Sequence, residues 1–228
     1  LIQPQVPGVV RVETPAGLVI AKYTQKENKV TAVRFTNVPA FLYASDFEIE
    51  CPGLGKLNID VAYGGNFYAI IDLQKNFKGI DAYTTSQLVS WSRDLRKRLN
   101  EAHLFIHPLD ENIQGCSHVL WAGKPIQKNA TARNAVFYGD KAIDRSPCGT
   151  GTSARMAQWF AKGRLKVGDP FVHESIIGSV FTGCVESKAK VGSLEAMIPS
   201  IEGNARITGY NKLILDPEDP YVKGFQVI

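Results

Sequence analysis

The run Asp144-Arg145-Ser146-Pro147-Cys148-Gly149-Thr150-Gly151-Thr152 constrains this 228-residue chain more than any other stretch. It reads as a turn that opens directly into a helix. Ser146 suits the capping position, and Pro147 suits the first helical residue because it has no N–H to leave unpaired. Cys148 is then expected in the first turn, where unpaired backbone amides and the helix dipole favour a negative charge. A thiol so placed is expected to ionise more readily than a free one, whose pKa is about 8.5. Gly149 and Gly151 carry no side chains, which lets a carboxylate approach the same amides. These residues point to a nucleophile or base beside an anion site, with a buried structural thiol as the alternative. The spacing matches neither Gly-x-x-x-x-Gly-Lys-Ser/Thr nor Gly-x-Gly-x-x-Gly, which argues against a nucleotide site.

Composition narrows the class further. The chain is 44% hydrophobic, enough for one large core or two smaller ones. Its net charge of +4 is spread through the sequence with both signs interspersed. The densest basic cluster, Arg93, Arg96, Lys97 and Arg98, has the spacing of a solvated helix face, so no nucleic-acid partner is expected. No apolar run is long enough to span a bilayer and no signal peptide is recognised, so a soluble protein without a membrane partner is expected. Cys51, Cys116, Cys148 and Cys184 form no Cys-x-x-Cys pair, which argues against a disulfide framework or zinc site and fits a reducing, cytoplasmic compartment. His103 and His107 have the spacing of a helical metal pair, but Pro108 follows and no third ligand is evident, so no metal is expected. His118 and His173 read as ordinary core or surface histidines.

Apolar alternation and turn residues predict strands at 9–13, 17–23, 30–37, 41–50, 56–61 and 66–72. Further strands are expected at 115–122, 132–138, 171–174, 176–186, 195–201 and 205–215. Residues 86–101 carry Leu88, Val89, Trp91, Leu95 and Leu99 among charges, an amphipathic helix with a Ser or Thr cap. The helix from Cys148 to Gly163 is apolar over much of its circumference and is expected to be largely buried. Gly64 and Gly65, between two strands, mark either a turn or bulge or a close backbone approach. Many strands around a buried helix describe an α+β fold.

The cysteine run resembles the second active-site motif of the proline racemase family. Thr14-Pro15-Ala16-Gly17-Leu18, Tyr63-Gly64-Gly65-Asn66-Phe67, Glu174-Ser175-Ile176-Ile177-Gly178-Ser179 and residues 216–225 also follow that family's pattern. Ser117-His118-Val119-Leu120-Trp121 and Ala132-Arg133-Asn134-Ala135-Val136-Phe137-Tyr138-Gly139-Asp140 most resemble the bacterial 4-hydroxyproline 2-epimerase branch. The resemblance implies a diaminopimelate-epimerase-like fold: two lobes of antiparallel strands, each wrapped around a central helix that begins at the cleft between them. By that analogy residues 39–203 form the second lobe, with the Cys148 motif. Residues 1–38 and 204–228 are the remnant of an incomplete first lobe. The first-lobe motif, of the Met-Cys-Gly-His or Ser-Gly-Ser-Asn type, occurs nowhere in the chain. The strands before Pro39 are therefore expected to have an apolar face with no helix of their own to cover it. A missing N-terminal segment or a second chain, as in a homodimer, would complete the lobe.

The resemblance also implies a chemistry. Inverting an α-carbon requires a base on one face and an acid on the other. The family uses a cysteine pair for this, without pyridoxal or any other cofactor, and Cys148 would be one member. The amides of Gly149, Thr150 and Gly151 would hold the substrate carboxylate. Asp144 would hold the ring ammonium, or else be a helix-start carboxylate satisfied by nearby amides. Tyr138 would pack against the apolar ring, or else be an ordinary strand residue. The expected function is epimerisation or racemisation of 4-hydroxyproline or proline. The alternatives are a 3-hydroxyproline dehydratase of the same family and a non-catalytic ligand-binding lobe. Dehydratases of the Cys/Thr type carry Thr where this chain has Cys148.

Overall fold

The computed structural model describes residue 4 and residues 6–224. Residues 1–3, 5 and 225–228 lie outside the described residues, and with them the outermost ends of the expected segments 1–38 and 204–228 and Phe225. The chain opens as a meander of β1 (Val9–Thr14), β2 (Gly17–Lys26) and β3 (Lys29–Thr36). β4 (Ala40–Cys51), β5 (Gly55–Tyr63) and β6 (Phe67–Ile71) follow, then helix α1 (Thr85–Ala102). A small hairpin of β7 (Ile106–His107) and β8 (Asp110–Gln114) leads to β9 (Cys116–Gly123) and β10 (Ala132–Tyr138). β11 (Ala142–Ile143) folds back on β10 and delivers the chain to helix α2 (Gly149–Ala161). β12 (Pro170–Ser175), β13 (Val180–Val191) and β14 (Leu194–Gly203) complete the order.

Eight of these strands close on themselves. They run β14-β13-β12-β10-β9-β6-β5-β4, and β4 returns to β14 through Ala196↔Phe41 and Met197↔Ala40. The pairs β6–β9 and β10–β12 are parallel, and the other pairs of the ring are antiparallel. α2 runs inside the ring, with residues 151–159 buried against β4, β5, β6, β13 and β14. α1 packs outside on β4, β9 and β10, burying Leu88, Ser92, Leu95 and Leu99. Thr84 caps it with a reciprocal pair: the Gln87 N–H donates to Thr84 Oγ1, and the Thr84 N–H donates to Gln87 Oε1.

Strand alternation sorts the two cores. On β6, Phe67, Ala69 and Ile71 face the α1 side, whereas Tyr68 and Ile70 face α2. On β10, Ala135 and Phe137 face α1, while Val136 faces α2. Both faces of β6 are therefore buried, which is why its five residues read as one apolar run.

β14 divides its free edge between two partners. Ala196 and Met197 pair with β4, and beyond them Ser200, Ile201, Glu202 and Gly203 pair with β3. β1–β3 thus project from the ring as a wing, with Val12, Leu18 and Val30 exposed. The strand expected at 205–215 does not form. Residues 204–216 have no regular structure, and Ile207, Leu213, Ile214 and Leu215 are exposed. An apolar run becomes a strand only when an edge is offered to it, and among the described residues none pairs with this one. The strand expected from residue 176 begins at Val180. Ser175 and Ser179 close a turn instead, with the Ser175 N–H donating to the Ser179 carbonyl and Gly178 at φ +83°. Among the described residues no helix is long and apolar enough to cross a membrane.

Candidate active site

Cys148 stands at the N-terminal end of α2, two positions earlier in the helix than its sequence suggests. α2 starts at Gly149, and Cys148 is its N-cap with φ +65° and ψ +121°. Pro147 lies outside the helix, and Ser146 does not cap it. The lead-in residues spend their hydrogen bonds on a stepped turn instead. Asp144 Oδ1 accepts from the Ser146 N–H at 2.8 Å, and Ser146 Oγ accepts from the Cys148 N–H at 3.0 Å. The Pro147 carbonyl accepts from Asn134 Nδ2 at 3.1 Å and from Thr152 Oγ1 at 3.4 Å. Thr152 Oγ1 also meets Nδ1 of the buried His173 at 2.9 Å. A left-handed conformation in a non-glycine residue costs of order 1–3 kcal/mol, and anchors on β10, β12 and α2 hold it here.

The other wall is the β5–β6 turn. A Cβ on Gly64 would lie 2.3 Å from the Thr150 carbonyl oxygen and 2.4 Å from the Ala154 nitrogen. Gly65, at φ +110°, would meet Thr150 Cγ2 at 2.8 Å. Both readings of these glycines are realised: they form the β5–β6 turn, and that turn lies directly on the first turn of α2. Asn37 pins the seam, its Nδ2 donating to the Gly64 carbonyl at 2.8 Å and to Ser153 Oγ at 3.0 Å.

That seam brings Tyr68 to the sulfur. Its Oη lies 3.3 Å from Cys148 Sγ and 2.6 Å from Thr150 Oγ1. The Gly151 N–H is also directed at the sulfur. Sequence reasoning missed Tyr68, although the signal was present. The alternation that sends Phe67 outward sends Tyr68 toward the helix, just after two glycines that admit that helix. The His118 ring on β9 lies tilted beside it at a centroid distance of 4.8 Å, with its Nδ1 2.7 Å from Ser117 Oγ.

The electrostatics differ from the sequence expectation. Burial pushes the Cys148 thiol above its ordinary value, and this outweighs the Tyr68 hydroxyl, the Gly151 N–H and the Thr150 hydroxyl, which pull it down. Asp144 adds a smaller upward push. Burial also raises Tyr68 well above the ordinary phenol range, so its hydroxyl keeps its proton. His118 is lowered to about 4 by burial and by the Arg96 charge, and is neutral near pH 7.

The remaining expected residues fall as follows. Asp144 is half-buried four residues before Cys148, and its charge is felt at Tyr68, His118 and Cys148. Gly149 faces Phe35 of β3, whose ring would lie 2.9 Å from an added Cβ. Gly149, Thr150 and Gly151 supply the first amides of α2, which have no acceptor one turn earlier. Tyr138 shares the α2-facing parity of Val136 but is exposed at the rim, before the Gly139–Asp140 turn that Arg93 and Arg96 hold. His103 caps the end of α1 while His107 lies on β7 against Phe41 and Tyr63, so the two are not on one helix face. Cys51 and Cys116 are buried elsewhere, and Cys184 is half-buried on β13.

A strand ring enclosing one helix, with a cysteine and free amides at the helix start, defines an α+β lobe that sets a thiol beside an anion-binding helix end. Residues 1–226 match the proline racemase family, and the chain belongs to that family. The 4-hydroxyproline 2-epimerase of Spirosoma linguale is 61% identical over 228 residues, covering all of this chain and 68% of that protein. A hydroxyproline epimerase from Agrobacterium vitis, solved with bound trans-4-hydroxy-L-proline, superposes with a TM-score of 0.87 at 34% identity. That match covers 99% of this chain and 65% of the other. A probable proline racemase from Agrobacterium radiobacter K84, solved with bound carbonate, also gives 0.87 at 34% identity, covering 100% of this chain and 66% of that one. The chain thus spans about two thirds of the length of the relatives it matches.

Proposed function

We propose that this chain carries one catalytic wall of a cofactor-independent epimerase or racemase that inverts the α-carbon of 4-hydroxyproline or proline. The observation that carries the reading is Cys148 capping a buried helix whose first amides are those of Gly149, Thr150 and Gly151, with the Gly151 N–H turned to its sulfur. Those amides suit a carboxylate, and they also receive the charge that builds on it as the α-proton leaves. Because Gly151 turns its N–H to the sulfur, Gly149 and Thr150 are the pair for the carboxylate. Asp144 holds the ring ammonium from the rim, and Tyr138 covers the apolar ring.

A thiol raised by burial fits this role. Its thiolate is a stronger base toward a poorly acidic carbon, and the incoming ammonium offsets the burial that opposes ionisation. Cys148 takes the proton from one substrate enantiomer and returns it to the other. The opposite acid/base belongs to a second wall.

Residues 39–203 form the lobe described here. Residues 1–38 and 204–228 belong to the first lobe, whose central helix comes from a preceding segment or from a partner copy. The exposed Val12, Leu18 and Val30 of the wing and the exposed apolar residues of 204–216 support this reading. So does the greater length of the relatives.

Incubation of the enzyme with both walls present, in heavy water with trans-4-hydroxy-L-proline, tests the activity. Deuterium at the α-carbon of both epimers is expected, and Cys148→Ser removes it. Loss of water from the substrate, or retention of labelling in Cys148→Ser, would overturn the assignment.

A further inference from the structure

We infer that Tyr68 is a positioning residue for the reaction: its hydroxyl, oriented by Thr150, donates a hydrogen bond to the Cys148 sulfur and sets that sulfur's acidity. The inference rests on the reading of Cys148 as acid/base. The geometry is a short chain of three groups, with Thr150 Oγ1 2.6 Å from Tyr68 Oη and Tyr68 Oη 3.3 Å from Cys148 Sγ. Thr150 Oγ1 itself is 3.8 Å from the sulfur, so the tyrosine carries the closer contact. Tyr68 is wholly buried between Ala62, Ile70, Leu120, Val136 and Ala154, which fixes its ring.

One hydroxyl proton serves both states of the sulfur. When Cys148 is a thiolate, Thr150 donates to Tyr68 and Tyr68 donates to sulfur, an arrangement worth more because its acceptor is charged. When Cys148 is a thiol, its S–H is free to face the substrate carbon and Tyr68 donates to Thr150 instead. The proton never leaves the tyrosine oxygen; only its direction changes. Burial keeps Tyr68 protonated throughout the working range. Besides the Gly151 N–H, the titratable groups near the sulfur are Asp144 from the preceding turn and, behind Tyr68, the neutral His118 of β9. Neither competes with Tyr68 for the sulfur: His118 Nδ1 meets Ser117 Oγ, and Asp144 Oδ1 accepts from the Ser146 N–H.

The test is Tyr68→Phe, which keeps the ring and removes only the hydroxyl. Alkylation of Cys148 by iodoacetamide, followed across pH and resolved by peptide mass spectrometry, reads the thiol directly. Its apparent pKa is expected to rise by about one unit or more, and kcat/KM for hydroxyproline at pH 7 to fall by about tenfold. Thr150→Val should shift the alkylation profile the same way by a smaller amount, and it carries the test if Tyr68→Phe does not fold. If the alkylation profile is the same in the variants as in the parent, Tyr68 is a packing residue and the inference fails. If instead Cys148→Ser retains inversion, the reading of Cys148 itself fails, whatever Tyr68→Phe does.

Discussion

The Gly64 α-carbon and the Thr150 carbonyl oxygen are so close that a single added methyl would stand 2.3 Å from that oxygen. The obstacle is helix backbone on one side and a strand turn on the other, and neither is a flexible side chain. Gly64→Ala must therefore part the β5–β6 turn from α2. We expect a loss of about 3 kcal/mol or more, at the upper end of overpacking costs. The same change should abolish inversion, because Tyr68 follows the turn and Thr150 the helix. Urea denaturation and the heavy-water assay measure the two effects. A variant of parental stability and activity would refute the close packing.

Cys148 and Cys184 give a paired control. Cys184 is half-buried on β13, opposite Pro170 and Ser200, and burial raises its thiol. It shares no contact with Tyr68 or Thr150. Cys184→Ser should change kcat/KM less than about twofold and stability by about 1 kcal/mol or less, whereas Cys148→Ser removes inversion. Steady-state kinetics on both variants decide it, and equal losses would undo the site.

The sequence disclosed the backbone of this site better than its surroundings. Alternation located β10 to the residue, and the apolar girth of α2 announced its burial. The helix start slipped by two residues because Asp144 and Ser146 can cap a helix or build a turn, and only the demands of Asn134, Thr152 and His173 on Pro147 decide between them. Cys148 acidity was misjudged because local sequence shows the amides but not the ring that buries the sulfur. Tyr68 escaped for a related reason: it lies 80 residues from the cysteine it touches. The failed strand at 205–215 was read from apolar content alone, which cannot say whether an edge awaits it.

The buried His173 makes the lobe acid-sensitive. Burial, aided by the Arg155 charge, lowers its pKa from an ordinary 6.5 to about 3. The unfolded chain takes up a proton near pH 6.5 that the folded chain refuses until about pH 3. Stability from this group is thus intact above pH 6.5 and is lost as pH falls through that window. His118, lowered to about 4, acts in the same direction. Each such proton contributes a slope of about 1.4 kcal/mol per pH unit inside its window. Urea midpoints between pH 7 and 4 should fall accordingly, and His173→Asn should make the fall shallower by one proton. An unchanged slope would place the proton uptake elsewhere.

Gly151 separates the stability of the site from its chemistry. In an ordinary helix interior, Ala is favoured over Gly by about 1 kcal/mol. Here an added Cβ would stand 3.2 Å from Tyr68 Cε1 and from Cys148 Cβ, and 3.3 Å from Cys148 Sγ. Those contacts are tight without being prohibitive, and all three are with the two side chains that must meet. The helix gain and the crowding nearly cancel, so Gly151→Ala should alter stability by about 1 kcal/mol or less. The sulfur and the phenol are nonetheless pushed apart by a few tenths of an ångström, which weakens their hydrogen bond. We expect kcat to fall about tenfold while KM changes little, because Gly149 and Thr150 still offer their amides to the carboxylate. A rise in KM with kcat unchanged would show instead that Gly151 belongs to the carboxylate site, and that the sulfur is indifferent to its neighbour.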